Sequence, residues 1–181
     1  MIDLEHKYCL LGKDVTISDG TVIEGYASLF GATDQGGDVV EAGAYRASLG
    51  KVSKQNRTIK MLWQHDPAQP IGVWDEVRED AKGLWVKGRI LTDVEKGREA
   101  VALIEAGAID GLSIGYRTIK AHKGAKGHRH LDEVELWEVS LVTFPMLPDA
   151  RVGGKADDPF ANHIKELASV FETARLSIPE L

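Results

Sequence analysis

The chain has 181 residues, with 22 Lys and Arg against 28 Asp and Glu for a formal net charge of −6, and 43% of it is hydrophobic. Those figures suit one globular domain around a single core, and they argue against a nucleic-acid binder, whose affinity rests on positive charge. The single cysteine, Cys9, excludes an internal disulfide, no apolar run has the length of a membrane span, and Asp3 and Glu5 do not fit a signal-peptide layout.

In chain order, residues 15–17 and 21–23 flank Ser18-Asp19-Gly20, a hairpin signal between β-branched runs. A strand continues over 24–30, a loop holds Gly36-Gly37, and 42–49 is expected to form a short helix. The next strand, 57–63, delivers His65 near its end, after which Pro67 and Pro70 are expected to break the ladder. Residues 71–77 and 84–90 form a hairpin around Glu79-Asp80-Ala81-Lys82-Gly83. Thr92 and Glu95 read as a capping box for a helix over 93–106, with Val94, Gly97, Val101, Ile104 and Ala108 as its buried stripe and Gly107 as its stop. A strand follows over 112–119, with Leu112, Ile114 and Tyr116 facing one way and Ser113, Gly115 and Arg117 the other. Residues 121–130 make a polar, basic loop. The long strand 131–144 then places Val134, Leu136, Glu138, Ser140 and Val142 on one face. After Pro145 and Pro148, Gly153-Gly154 begins a linker, and Asp158-Pro159 starts a last helix with Phe160, Ile164, Leu167, Phe171 and Ala174 as its stripe. Many strands with few helices suggest a mainly β, α+β architecture: a barrel or strongly bent sheet surrounded by helices.

Three residues stand out chemically. Ser113 lies in Gly111-Leu112-Ser113-Ile114-Gly115, a literal G-x-S-x-G. The α/β-hydrolase elbow needs a strand before that serine and a helix after it, and here the order is reversed. Ser113 reads either as a nucleophile or as a small residue in a tight sheet corner. His65 is a candidate base, or else a surface histidine bonded to Asp66 or packed on Trp63. Glu138 is an acid on a face that looks buried and needs a partner there: an imidazole, or an arginine such as Arg117 or Arg89. His122, His128 and His130 lack the companions of a tetrahedral metal site, so no metal or other cofactor is expected.

Between residues 25 and 152 the chain resembles the prohead (procapsid maturation) serine proteases of tailed bacteriophages, relatives of the herpesvirus assemblins. The resemblance rests on Gly25-Tyr26-Ala27-Ser28-Leu29-Phe30, Gly37-Asp38-Val39-Val40 with Gly43-Ala44-Tyr45, and Leu62-Trp63-Gln64-His65-Asp66. It continues in Gly111-Leu112-Ser113-Ile114-Gly115-Tyr116, Leu136-Trp137-Glu138-Val139-Ser140-Leu141-Val142-Thr143-Phe144-Pro145 and Pro148-Asp149-Ala150.

The resemblance implies a closed or nearly closed, assemblin-like antiparallel β-barrel; the expected division is that protease barrel over 1–152 and, over 153–181, a linker and a helix packed on the barrel or used for association. It implies a serine endopeptidase with Ser113, His65 and Glu138 as its triad, Glu138 standing where the herpesvirus relatives use a second histidine. Arg151, Arg117 or the backbone over 145–149 would supply the oxyanion hole. The implied substrate is the major capsid protein precursor or its scaffold segment, cut inside the procapsid in the host cytoplasm. Self-cleavage and homo-oligomer formation are further expectations, with no role for a membrane or nucleic acid. A non-enzymatic scaffolding or capsid-assembly protein on the same barrel is the alternative, and an esterase or amidase ranks behind it.

Overall fold

Nine strands and two helices carry the described part of this computed structural model, namely residues 5–9, 16–18, 20–34, 36–124 and 127–143. They are β1 (Glu5–Cys9), β2 (Thr16–Ser18), β3 (Val22–Leu29), β4 (Asp38–Val40), α1 (Arg46–Lys54), β5 (Lys60–Trp63), β6 (Asp66–Glu79), β7 (Gly83–Ile90), α2 (Glu95–Glu105), β8 (Gly111–Lys123) and β9 (Arg129–Val142). The architecture is mainly β with few helices, as the sequence suggests. All strands belong to one sheet in the order β1-β8-β9-β5-β6-β7-β3-β2, with β4 also beside β9. The sheet curls so that β3 comes against β1 and β8.

Two features depart from a closed antiparallel barrel. The path is open, because β1 and β2 at its ends do not pair with each other among the described residues. The sheet is also mixed, since β4 and β5 both run parallel to β9. The cause lies along one edge of β9. There β4 covers Arg129 to Leu131 and β5 covers Glu138 to Leu141. Between them α1 packs on β9, and the backbone is satisfied differently: Val134 N–H donates to the Ala44 carbonyl and Leu136 N–H to Ser48 Oγ at 2.9 Å. One strand edge is thus shared by two short strands and a helix that fills the gap.

The core contains Ile23, Met61, Ile71, Leu84, Leu112, Ile114, Tyr116, Leu136, Val139 and Leu141, joined by Ala100, Val101 and Ile104 of α2 and Leu49 and Val52 of α1. Both helices start later than the sequence suggests. The capping box of Thr92 and Glu95 does not form: Val94 is the N-cap, in extended conformation and without a side-chain bond, while Thr92 lends its carbonyl to Arg98 at 3.0 Å. The buried face of α2 is Gly97, Ala100 and Ile104, with Val94 and Ala108 exposed. Gly97 allows the close approach, since a Cβ there would collide with the Leu91 carbonyl. Gly107, with φ +69°, ends the helix as expected.

Pro67 and Pro70 do not break the ladder. β6 runs through both, and the β5–β6 pairing absorbs them by two register shifts. The division at 152/153 and the last helix lie outside the described residues.

Candidate active site

The site grows from the β5–β6 hairpin. Trp63 and Asp66 are paired across it, leaving Gln64 and His65 as a two-residue turn. Both turn residues have positive φ, 52° and 63°. Two successive positive φ values mark the I′ hairpin turn, which Asn-Gly usually supplies. Gln and His pay strain there, and the fold holds them. Gln64 N–H donates to the Leu141 carbonyl (2.9 Å) and its side-chain amide to Thr143 Oγ1 (2.6 Å). His65 N–H donates to Ser140 Oγ at 3.2 Å. His65 therefore lies just past the end of β5, as expected, within a strained turn whose neighbouring bonds fix its direction.

A bulge sets the second residue. Gly115 pairs with Glu138 but Tyr116 pairs with Leu136, so Trp137 is the extra residue in β9. Val134 and Leu136 point into the core, and so do Val139 and Leu141 beyond the bulge. Glu138 and Ser140 consequently share the opposite face with their partners Gly115 and Ser113, not with Leu136 as strict alternation predicts. This settles how an acid occupies a strand full of apolar residues: the bulge turns it out of the core. Gly115 makes the room, because a Cβ there would overlap the Glu138 carboxylate.

The three candidates meet. His65 Nε2 lies 2.7 Å from Ser113 Oγ, and His65 Nδ1 lies 2.5 Å from Glu138 Oε1. With Nδ1–H donated to the carboxylate, Nε2 is left as the acceptor facing the Ser113 hydroxyl. Ser140, which the sequence reading placed on this face without a role, closes a ring: its hydroxyl donates to Glu138 Oε2 at 2.5 Å while accepting the His65 N–H. Ser113 and Ser140 are fully buried, Glu138 is 3% exposed, and the His65 side chain is 8% exposed.

The partners named in the other readings of His65 and Glu138 are engaged elsewhere. Asp66 caps Ala68 N–H at 2.8 Å, Arg117 pairs with Glu135 at 2.7 Å, and Arg89 pairs with Asp75 at 3.0 Å. Arg151 and residues 145–149 lie outside the described residues. His122 bonds Asp132 (2.8 Å) and His130 bonds Glu41 (2.6 Å), and the described residues contain no group of three or more metal-ligating side chains.

Comparison with known proteins gives a consistent answer. Residues 12–165 match the model of a family described as caudovirus prohead serine protease. The chain is 32% identical over 127 residues to the prohead protease of Enterobacteria phage HK97, a match covering 68% of this chain and 55% of that protein. It is 33% identical over 102 residues to a capsid polyprotein of Pseudomonas phage PAJU2, covering 52% of this chain and 15% of that one. The chain thus spans about half the length of the first relative and a smaller part of the second. Among solved structures, the capsid assembly protease of bacteriophage T4 aligns with a TM-score of 0.62 at 15% identity, over 79% of this chain and 98% of that one, a likeness of fold.

Proposed function

Because this chain belongs to the caudovirus prohead serine protease family, we propose that it is a serine endopeptidase whose triad is Ser113, His65 and Glu138. The observation that carries the reading is the unbroken line of contacts from Ser113 Oγ through the His65 ring to Glu138. Ser113 Oγ attacks the scissile carbonyl while His65 Nε2 takes its proton, and the imidazolium later delivers that proton to the leaving amine. Glu138 holds Nδ1–H in place, fixes the tautomer, and stabilises the imidazolium as it forms. Arg117 is already engaged by Glu135, which favours Arg151 or the backbone over 145–149 as the oxyanion donor.

The likeness to a prohead protease, a capsid polyprotein and a capsid assembly protease supports a capsid precursor or its scaffold segment as substrate, cut inside the procapsid, with self-cleavage. The test is co-expression with the cognate capsid protein, following precursor size on gels. Ser113→Ala is expected to slow processing by at least about 10³-fold. Processing at the wild-type rate by that variant overturns the mechanism.

One observation favours a second reading, a capsid-assembly protein that does not cleave: Ser113 has no solvent exposure. That protein would be incorporated stoichiometrically, with no capsid component shortened by the wild-type chain either.

A further inference from the structure

No Asp or Glu lies between Glu41 and Asp66, whereas Arg46, Lys51, Lys54, Arg57 and Lys60 do, in a chain of net charge −6. All five side chains are exposed. Lys51 and Lys54 sit in the last turn of α1, where the helix dipole favours cations, and Lys60 opens the strand that ends at the His65 turn.

Cations that serve the fold show themselves by ion pairs, as the basic stretch of β8 and β9 does. There Arg117 holds Glu135 at 2.7 Å, Lys120 holds Glu133 at 2.9 Å, and Arg129 holds Asp38 and Glu5 at 2.5 and 2.6 Å. Along α1 and β5 the pattern differs. Arg46 reaches Glu79 only at 3.7 Å, and Lys54, Arg57 and Lys60 make no ion pair among the described residues. Glu133 and Glu135 of β9, the strand on which α1 packs, are already taken from the β8 side.

A cavity of about 350 Å³ opens beside these cations, lined by Asn56, Arg57, Thr58, Lys60 and Trp137. It is rich in donors. Lys60 Nζ leans on Thr58 Oγ1 at 2.8 Å, and the Arg57 guanidinium lies 4.9 Å above the Trp137 ring. The Trp137 indole N–H is buried with no acceptor among the described residues. Exposed cations without acidic partners among the described residues call for a ligand that brings acceptors and negative charge.

We propose that Lys54, Arg57, Lys60 and the cavity beside Trp137 form an exosite for an acidic, extended polypeptide segment. It rests on the protease reading above only in making that segment part of the substrate. From Lys60 to the His65 turn is at most about 17 Å of chain, so the acidic anchor binds within roughly a strand's length of the scissile bond. A peptide fits better than a nucleic acid. Arg57 covers the ring on which a base would stack.

Binding is measured by fluorescence anisotropy on the full chain carrying Ser113→Ala, so that nothing is cleaved. The probes are a labelled peptide of alternating Glu and Ala, its Gln counterpart, and an oligothymidylate of equal charge. Combining Lys54→Gln, Arg57→Gln and Lys60→Gln is expected to weaken the Glu peptide at least about tenfold, and Arg57→Gln alone about threefold. Lys120→Gln with Lys123→Gln leaves it unchanged. In the chain with Ser113 intact, the triple variant keeps kcat/KM on a short peptide spanning the cleavage site but raises KM on the intact precursor. Equal binding by wild type and triple variant overturns the exosite, as does tighter binding of the oligothymidylate through the same three cations. Wild-type processing by Ser113→Ala overturns the protease reading instead, and the anisotropy result still decides the docking.

Discussion

A single methyl group at position 115 would occupy the space of the Glu138 carboxylate. Gly115→Ala is therefore expected to fold and yet push Glu138 off the imidazole, lowering kcat on the order of 10²-fold, as a misplacement of about 1 Å does. Circular dichroism and steady-state kinetics check the two halves of that expectation. Ser140 is the subtler case, because it touches no substrate in the proposed mechanism. It holds the second carboxylate oxygen of Glu138 and the backbone of the strained turn. Ser140→Ala is expected to lower kcat about tenfold at unchanged KM, with Ser140→Thr restoring it by returning the hydroxyl. A fall in thermal stability with no change in kcat would leave Ser140 a purely structural residue.

The elements carry their own test at the β6–β7 hairpin. Burial raises the Asp80 carboxyl, but hydrogen bonds from Lys82 N–H, Tyr26 Oη, Gly83 N–H and Arg78 overcome that and bring it from 3.8 down to about 2. A carboxyl depressed in the folded state stabilises above its unfolded value and loses that contribution as pH falls through the folded one. Asp80→Asn is thus expected to lower Tm by a few degrees at pH 7, with the difference shrinking between about pH 4 and 2 in pH-resolved thermal melts. This hairpin was legible from Glu79-Asp80-Ala81-Lys82-Gly83, because turn chemistry is local. The His65 turn was not, since Gln-His carries no sign of an I′ turn. Only the bonds to Leu141, Thr143 and Ser140, distant in sequence, force it. Glu138 was found for a reason the structure corrects: alternation put it in the core with Leu136, and an extra residue in β9 turns it away. The capping box at Thr92 failed similarly, because packing of Gly97 against Leu91 decides where α2 enters.

At the scale of the molecule, bent-sheet architecture followed from strand-rich patterning, but the shared edge of β9 did not. Parallel pairing of β4 and β5 with β9 joins segments far apart in sequence, with no local signature. The arrangement sets Glu138 on β9 between Ser113 of β8 and the His65 turn that follows β5. Ser113 itself is sealed from solvent. On the proposed reading, a fluorophosphonate that acylates serine nucleophiles is then expected to react through an opening step. Its labelling rate is expected to level off with rising reagent concentration, and a rate that stays proportional to concentration would show that no such step exists. On the peptidase reading proposed above, that seal is a matter of timing: damage to bystanders is limited by how seldom the fold opens, and the clock for cutting starts with whatever holds it open.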